Sequence, residues 1–208
     1  MSKAPDYLEP TIGWRGWFVV EDGQATRLSS LVYPTLWPPR RELLATCRHR
    51  PLSLLPPWRR RPPDHDAPEE RCRCGIYGTA DPEEAAAYLE DRILHPEPLR
   101  WPLLHRVIGR VSLWGWVAEC EHGWRASHAY PERLYVPSLH EEHQTACDAS
   151  EIARELTAYG VPIELLECGT REDLAAALTL RSDARQRMSR PSTVEGKAGT
   201  ANEWWPQH

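Results

Sequence analysis

Val107-Ile-Gly-Arg-Val-Ser-Leu-Trp-Gly-Trp-Val-Ala-Glu119 is dense in β-branched and aromatic residues, the types that fit the pleated surface of a sheet. Gly109 and Gly115 interrupt it where a bulge or a close backbone approach is expected. The chain turns near Glu121-His122-Gly123 and returns through Trp124-Arg125-Ala126-Ser127-His128-Ala129-Tyr130. Residues 103–135 therefore read as one β-rich segment.

A second such segment lies upstream, over 13–48. Trp14-Arg-Gly-Trp17-Phe-Val-Val-Glu21 and Thr26-Arg-Leu-Ser-Ser-Leu-Val32 flank Asp22-Gly23, the pattern of a hairpin. Glu42–Cys47 adds a short third strand. Helices are expected over 81–93, 149–159 and 171–180, with Val161–Leu166 as a strand between the last two. Asp81-Pro82-Glu83-Glu84 places a capping carboxylate before a proline at the first helical position. Asp148 caps the second helix, Gly160 stops it, and Thr170-Arg-Glu-Asp173 opens the third. The fold class is α+β: the two β-rich segments combine into an antiparallel sheet or partly open barrel, with the helices on its outside.

Between Trp37 and Pro68 prolines recur too often for a helix or a central strand. Long loops inside compact domains carry a function or a staple. Here the staple is written in the ligands. Cys47 lies on one flank, and His65-Asp-Ala-Pro-Glu-Glu-Arg-Cys72-Arg-Cys74-Gly75 on the other. Cys47, His65, Cys72 and Cys74 make a Cys3His set, closed at four donors as in a structural Zn²⁺ site. Folding of the loop would then be coupled to the ion. His49 is a substitute donor for His65. The spacing C-x-C is tighter than the usual knuckle, and an iron site of the rubredoxin kind would want a fourth thiolate. A catalytic ion would need an open position and a base such as Asp64, Asp66, Glu69 or Glu70. Neither H-E-x-x-H nor the deaminase pattern is present.

A second group, His140, His143 and Cys147, would share a helix face, with Cys120 and His122 able to join it from the hairpin; a solvated face with Cys147 buried is the simpler reading. Cys168 reads as a small core residue.

Ten tryptophans stand out. Because i and i+2 face one side of a strand, Trp114 and Trp116 are expected to share a surface. With Trp124, Arg125 and Tyr130 they form the candidate ligand-binding set, set against the plainer reading that these rings are core. Nine arginines against five acids between Pro38 and Arg73 give the loop a positive charge. Arg59, Arg60 and Arg61, near Trp37 and Trp58, make it an alternative nucleic-acid surface.

Charge and length bound these readings. The chain has 208 residues and a formal net charge of -5, which argues against a basic face over its whole surface. Residues 1–182 are expected to form one domain with a loop insertion over 49–72, and 183–208, polar and without periodicity, a disordered tail. Trp204 and Trp205 are unusual in such a tail. Lysine occurs only at positions 3 and 197, a pattern of GC-rich bacterial coding. The N-terminus has no apolar signal region, and no run of about 18 apolar residues exists to span a bilayer. The cytoplasm is the expected address, and its reducing conditions favour metal ligation over disulfides.

His65-Asp-Ala-Pro-Glu-Glu-Arg-Cys72-Arg-Cys74-Gly-Ile-Tyr77 and Gly115-Trp116-Val-Ala-Glu-Cys-Glu-His-Gly-Trp-Arg125-Ala-Ser-His-Ala-Tyr130-Pro131 resemble motifs of uncharacterised bacterial proteins. The resemblance spans about residues 13–135 and implies that both segments belong to one domain. It brings no activity. The leading function is a non-enzymatic, zinc-stabilised recognition module that binds a small ligand, peptide or protein through a Trp-rich surface. Nucleic-acid binding is the alternative and a metal-dependent hydrolase the third reading.

Overall fold

The computed structural model describes residues 9–47, 65–89, 99–138, 148–168 and 170–189. The strands are β1 (Thr11–Asp22), β2 (Ala25–Ser30), β3 (Leu36–Trp37), β4 (Leu43–Leu44), β5 (Ile76–Thr79), β6 (Leu103–Cys120), β7 (Gly123–Ser138) and β8 (Ile163–Glu167). The helices are α1 (Pro82–Ala87), α2 (Ala149–Leu156), which continues as a 3-10 turn over Thr157–Tyr159, and α3 (Arg171–Ser189). The architecture is α+β, as the sequence implied.

All eight strands belong to one sheet, antiparallel except for the parallel pair β7–β8. β1 pairs with β2 on one edge and with β6 on the other. β6 and β7 form a long hairpin, and β5 pairs with the tip half of β7. A single bridge, Trp14 to Thr79, returns β5 to β1. The circuit β1–β6–β7–β5 is thus ring-like, yet one bridge does not make a barrel. Beyond that bridge β1 and β5 diverge.

Both faces of the central strands are buried, and the period of two sorts their side chains. Trp17 and Val19 of β1 join Val107, Leu113 and Leu134 in one core, covered by Ile152, Leu156 and Tyr159. Trp14, Phe18 and Val20 join Ile108 and Tyr135 in a second core on the opposite face, covered by Ala85 and Ala86 of α1 and by Leu174 and Leu178 of α3. The uninterrupted run Trp17-Phe-Val-Val20 is the sequence mark of this double burial. Trp17 meets Trp37 edge to face at 5.5 Å between ring centres, a favoured aromatic geometry.

Several boundaries depart from expectation. Asp81 caps α1 by accepting from the Glu83 amide at 2.9 Å, but the helix ends at Ala87, with Tyr88 as its C-cap; residues 90–93 lie outside the described residues. The strand expected over 42–47 shrinks to Leu43–Leu44. β5 was not anticipated, because Ile-Tyr-Gly-Thr is too short to show alternation. α3 continues past Leu180 to Ser189, since 181–189 contains neither glycine nor proline to stop it; residues 190–208, with Trp204 and Trp205, lie outside the description. Among the described residues no helix is long and apolar enough to cross a membrane.

Candidate metal centre

Cys47 follows the short β4, and His65, Cys72 and Cys74 lie in the segment that leads into β5. One ligand atom from each can be chosen so that no two lie more than 4.8 Å apart. Cys47 Sγ is 3.6 Å from Cys72 Sγ, and Cys74 Sγ is 3.5 Å from His65 Nε2. A tetrahedral ion with metal–sulfur bonds of about 2.3 Å and metal–nitrogen bonds of about 2.05 Å has edges of about 3.8 and about 3.6 Å. Both close pairs match those edges. The widest separation would contract by about an ångström to match them. The four residues could hold a metal ion.

The backbone from Glu69 to Cys74, which carries two of the four candidate ligands, is held by one side chain. Arg125 of β7, itself buried, inserts its guanidinium under the loop. Nη1 donates to the carbonyl oxygens of Glu69 at 2.9 Å, of Cys74 at 3.1 Å, and of Cys72. Nη2 donates to that of Glu70 at 3.4 Å. A planar fork of fixed donors suits such a ring of acceptors. Gly75 completes the turn at φ 123°, where an added Cβ would press on Pro68 and Arg125 Cβ atoms, each at 3.1 Å.

The protonation of the thiols follows from the same geometry. Burial pushes the Cys74 thiol up to about 11, and the neighbouring Cys72 and Cys47 sulfurs push in the same direction. At Cys72 burial also acts upward, but hydrogen bonds from Cys47, Cys74 and His65 outweigh it and the net shift is downward. Sulfurs this close cannot all ionise without a cation among them. A divalent ion supplies that charge, and its binding releases protons.

The remaining site residues are spread over the hairpin. Arg125 supports the candidate metal loop from β7. Tyr130 accepts from the Arg40 amide at 2.5 Å and donates to the Tyr159 carbonyl at 2.8 Å. Between Trp114 and Val117 the β6–β7 register shifts, while Leu113 and Val117 on either side of the shift both face the first core. Trp114 stacks on His128 with ring centres 6.0 Å apart, while Trp116 is exposed. Trp124 lines a cleft next to the candidate metal loop. Cys168 is buried in the second core. His122 reaches Glu84 at 2.9 Å. Arg59, Arg60, Arg61, Trp58, His49, Asp64, His140, His143 and Cys147 fall outside the described residues.

A cleft of about 690 Å³ opens beside the metal loop, with Cys74 and Gly75 on its rim. Arg15 is among the residues that line it. In the sequence Arg15 is marked only as a lone cation inside an aromatic strand. Comparison of the chain with protein-family models, with curated proteins and with solved structures finds no match.

Proposed function

We propose that this chain is a non-enzymatic recognition module whose binding cleft is built on a structural zinc centre. The observation that carries the reading is the closed donor set. Three thiols and one imidazole leave no coordination position for substrate or water, which is the arrangement of structural rather than catalytic zinc. Thiolate-rich donors favour zinc over harder ions. The metal loop continues directly into β5, so the ion fixes one wall of the cleft.

The test is metal content per chain, measured by plasma mass spectrometry on protein purified without chelators. One zinc per chain is expected in the wild type and less than about a tenth of that in Cys72→Ser/Cys74→Ser, a variant that keeps two of four ligands. Equal content in both proteins, or none in either, overturns the reading.

A further inference from the structure

Eight large hydrophobic side chains are exposed among the described residues, and five of them, Val32, Tyr33, Leu44, Tyr77 and Tyr88, line the cleft beside the metal loop. Exposed apolar surface gathered in this way marks a binding site more often than it marks chance. At about 690 Å³, the cleft falls in the range of pockets that enclose small organic molecules.

Its polar content is lopsided. Arg15 sits where β1 and β5 part. Its Nη1 donates to the Tyr77 carbonyl, its Nη2 to Ser30 Oγ at 3.2 Å, and its guanidinium lies 5.3 Å from the centre of the Trp37 ring. All three partners are neutral. The buried Nε has no hydrogen-bond acceptor, and no carboxylate among the described residues pairs with the group. Burial accordingly pulls the guanidinium down to about 10. The side chain as a whole is half-buried, so its charge is partly withdrawn from water with no counter-charge to compensate it. Arg73 adds a second positive charge to the lining, against the single acid Glu121; the Glu121 side chain is 87% exposed and 3.9 Å from His122 Nε2.

We infer that the cleft binds a small organic anion, a carboxylate carried on an aromatic or aliphatic body, with the carboxylate at Arg15 and the body against Tyr33, Leu44, Tyr77, Tyr88 and Trp124. A carboxylate supplies both the missing charge and an acceptor for the guanidinium fork. The apolar body accounts for the exposed rings. The inference deepens the recognition reading and rests on it. The competing role for Arg15 is a structural plug between the two strands, which would give no preference for an acid over a neutral molecule of the same shape.

The experiment compares 4-phenylbutanoate with its neutral amide, 4-phenylbutanamide, by calorimetric titration of the full metal-loaded chain, followed also by tryptophan emission. The acid is expected to bind at least tenfold more tightly than the amide, and Arg15→Gln to abolish that ratio while zinc content is unchanged. Should Arg15→Gln fail to fold, the acid-to-amide ratio in the wild type decides, supported by a smaller reduction in Arg73→Gln. Equal binding of acid and amide overturns the anion assignment alone. Failure of both to bind at millimolar concentration in zinc-loaded protein overturns the cleft as a small-ligand site as well. Absence of zinc would refute the metal reading independently.

Discussion

Arg125 Nη1 lies 3.1 Å from the carbonyl oxygen of Cys74, so a residue near the start of β7 holds the backbone of a candidate metal ligand 51 positions earlier in the chain. Its other acceptors, the carbonyls of Glu69, Glu70 and Cys72, span the whole turn that brings Cys72 and Cys74 together. Removing such a support without touching a ligand lowers metal affinity by about 10–100-fold. Arg125→Gln is expected to show that loss in competition with a chromophoric chelator. Arg125→Lys is expected to restore little of it, because a single ammonium cannot reach four carbonyls at fixed angles. Wild-type affinity in both variants would remove Arg125 from the metal centre.

Much of this was legible in the chain, and the limit has a physical cause. The β1–β2 hairpin follows from Asp22-Gly23 between apolar runs, and α1 from Asp81-Pro82, because turns and caps are local. The four candidate metal donors, which do lie together, were also readable, since ligand chemistry restricts such donors to a few residue types. Arg125 and Arg15 were not. Each acts through backbone acceptors or rings far away in sequence, and an arginine carries no mark of whether its guanidinium meets water or carbonyls. Ring closure through β5 was hidden for a similar reason: a four-residue strand with a glycine inside exists because β7 and Trp14 are there to pair with it. The parallel docking of β8 on β7 likewise depends on α2 crossing over the sheet, which periodicity alone does not reveal.

Tyr159 is a fixed point between β2, β3 and the turn after α2. Its hydroxyl accepts from the Leu28 amide at 2.8 Å and donates to the Trp37 carbonyl at 2.7 Å. Tyr159→Phe leaves both groups buried without that partner, at a cost of about 1–3 kcal/mol in urea unfolding. The pH profile gives a second readout. Burial raises the phenol from 10.0 to about 12, so between those values the native state holds a proton that the unfolded chain has lost. The stabilising contribution is complete below pH 10 and disappears as pH rises toward 12, about 3 kcal/mol in all. Tyr159→Phe should flatten that descent, though not abolish it, because burial also raises Tyr77, Tyr130 and Tyr135. An unchanged alkaline slope would show that Tyr159 does not titrate as the fold requires.

Gly123 opens β7 at φ 150°, and a Cβ there would overlap the Gly78 carbonyl and lie 2.8 Å from Thr79 Cα. The contact is backbone on backbone, so no side chain can swing away to relieve it. Gly123→Ala should therefore destabilise the chain by about 3 kcal/mol. Because β5 is the continuation of the metal loop, the substitution should also lower zinc retention against a chelator, although it lies 49 residues from the nearest ligand in sequence. Reduced stability with fully retained metal affinity would show that β5 and the loop are mechanically independent.

Removal of the metal should separate the loop from the sheet rather than unfold the protein. Zinc-finger peptides are unfolded without their ion because they bury almost nothing else. Here Trp17, Val19, Val107, Leu113 and Leu134 are buried on one face of the sheet and Val20, Ile108 and Leu178 on the other, and none of these contacts passes through the ligands. Chelation should leave the far-ultraviolet circular dichroism close to that of the loaded protein. Hydrogen exchange should accelerate at Cys72–Thr79, where Arg125 would hold a loop whose sulfurs have regained their protons, and stay slow across the β1–β6 pairing. The same logic sets the acid limit. As pH falls, protons compete for thiolate and imidazole, so metal loss and the fast-exchanging state should appear together. Global unfolding coincident with metal release would mean that the ion supports the sheet itself.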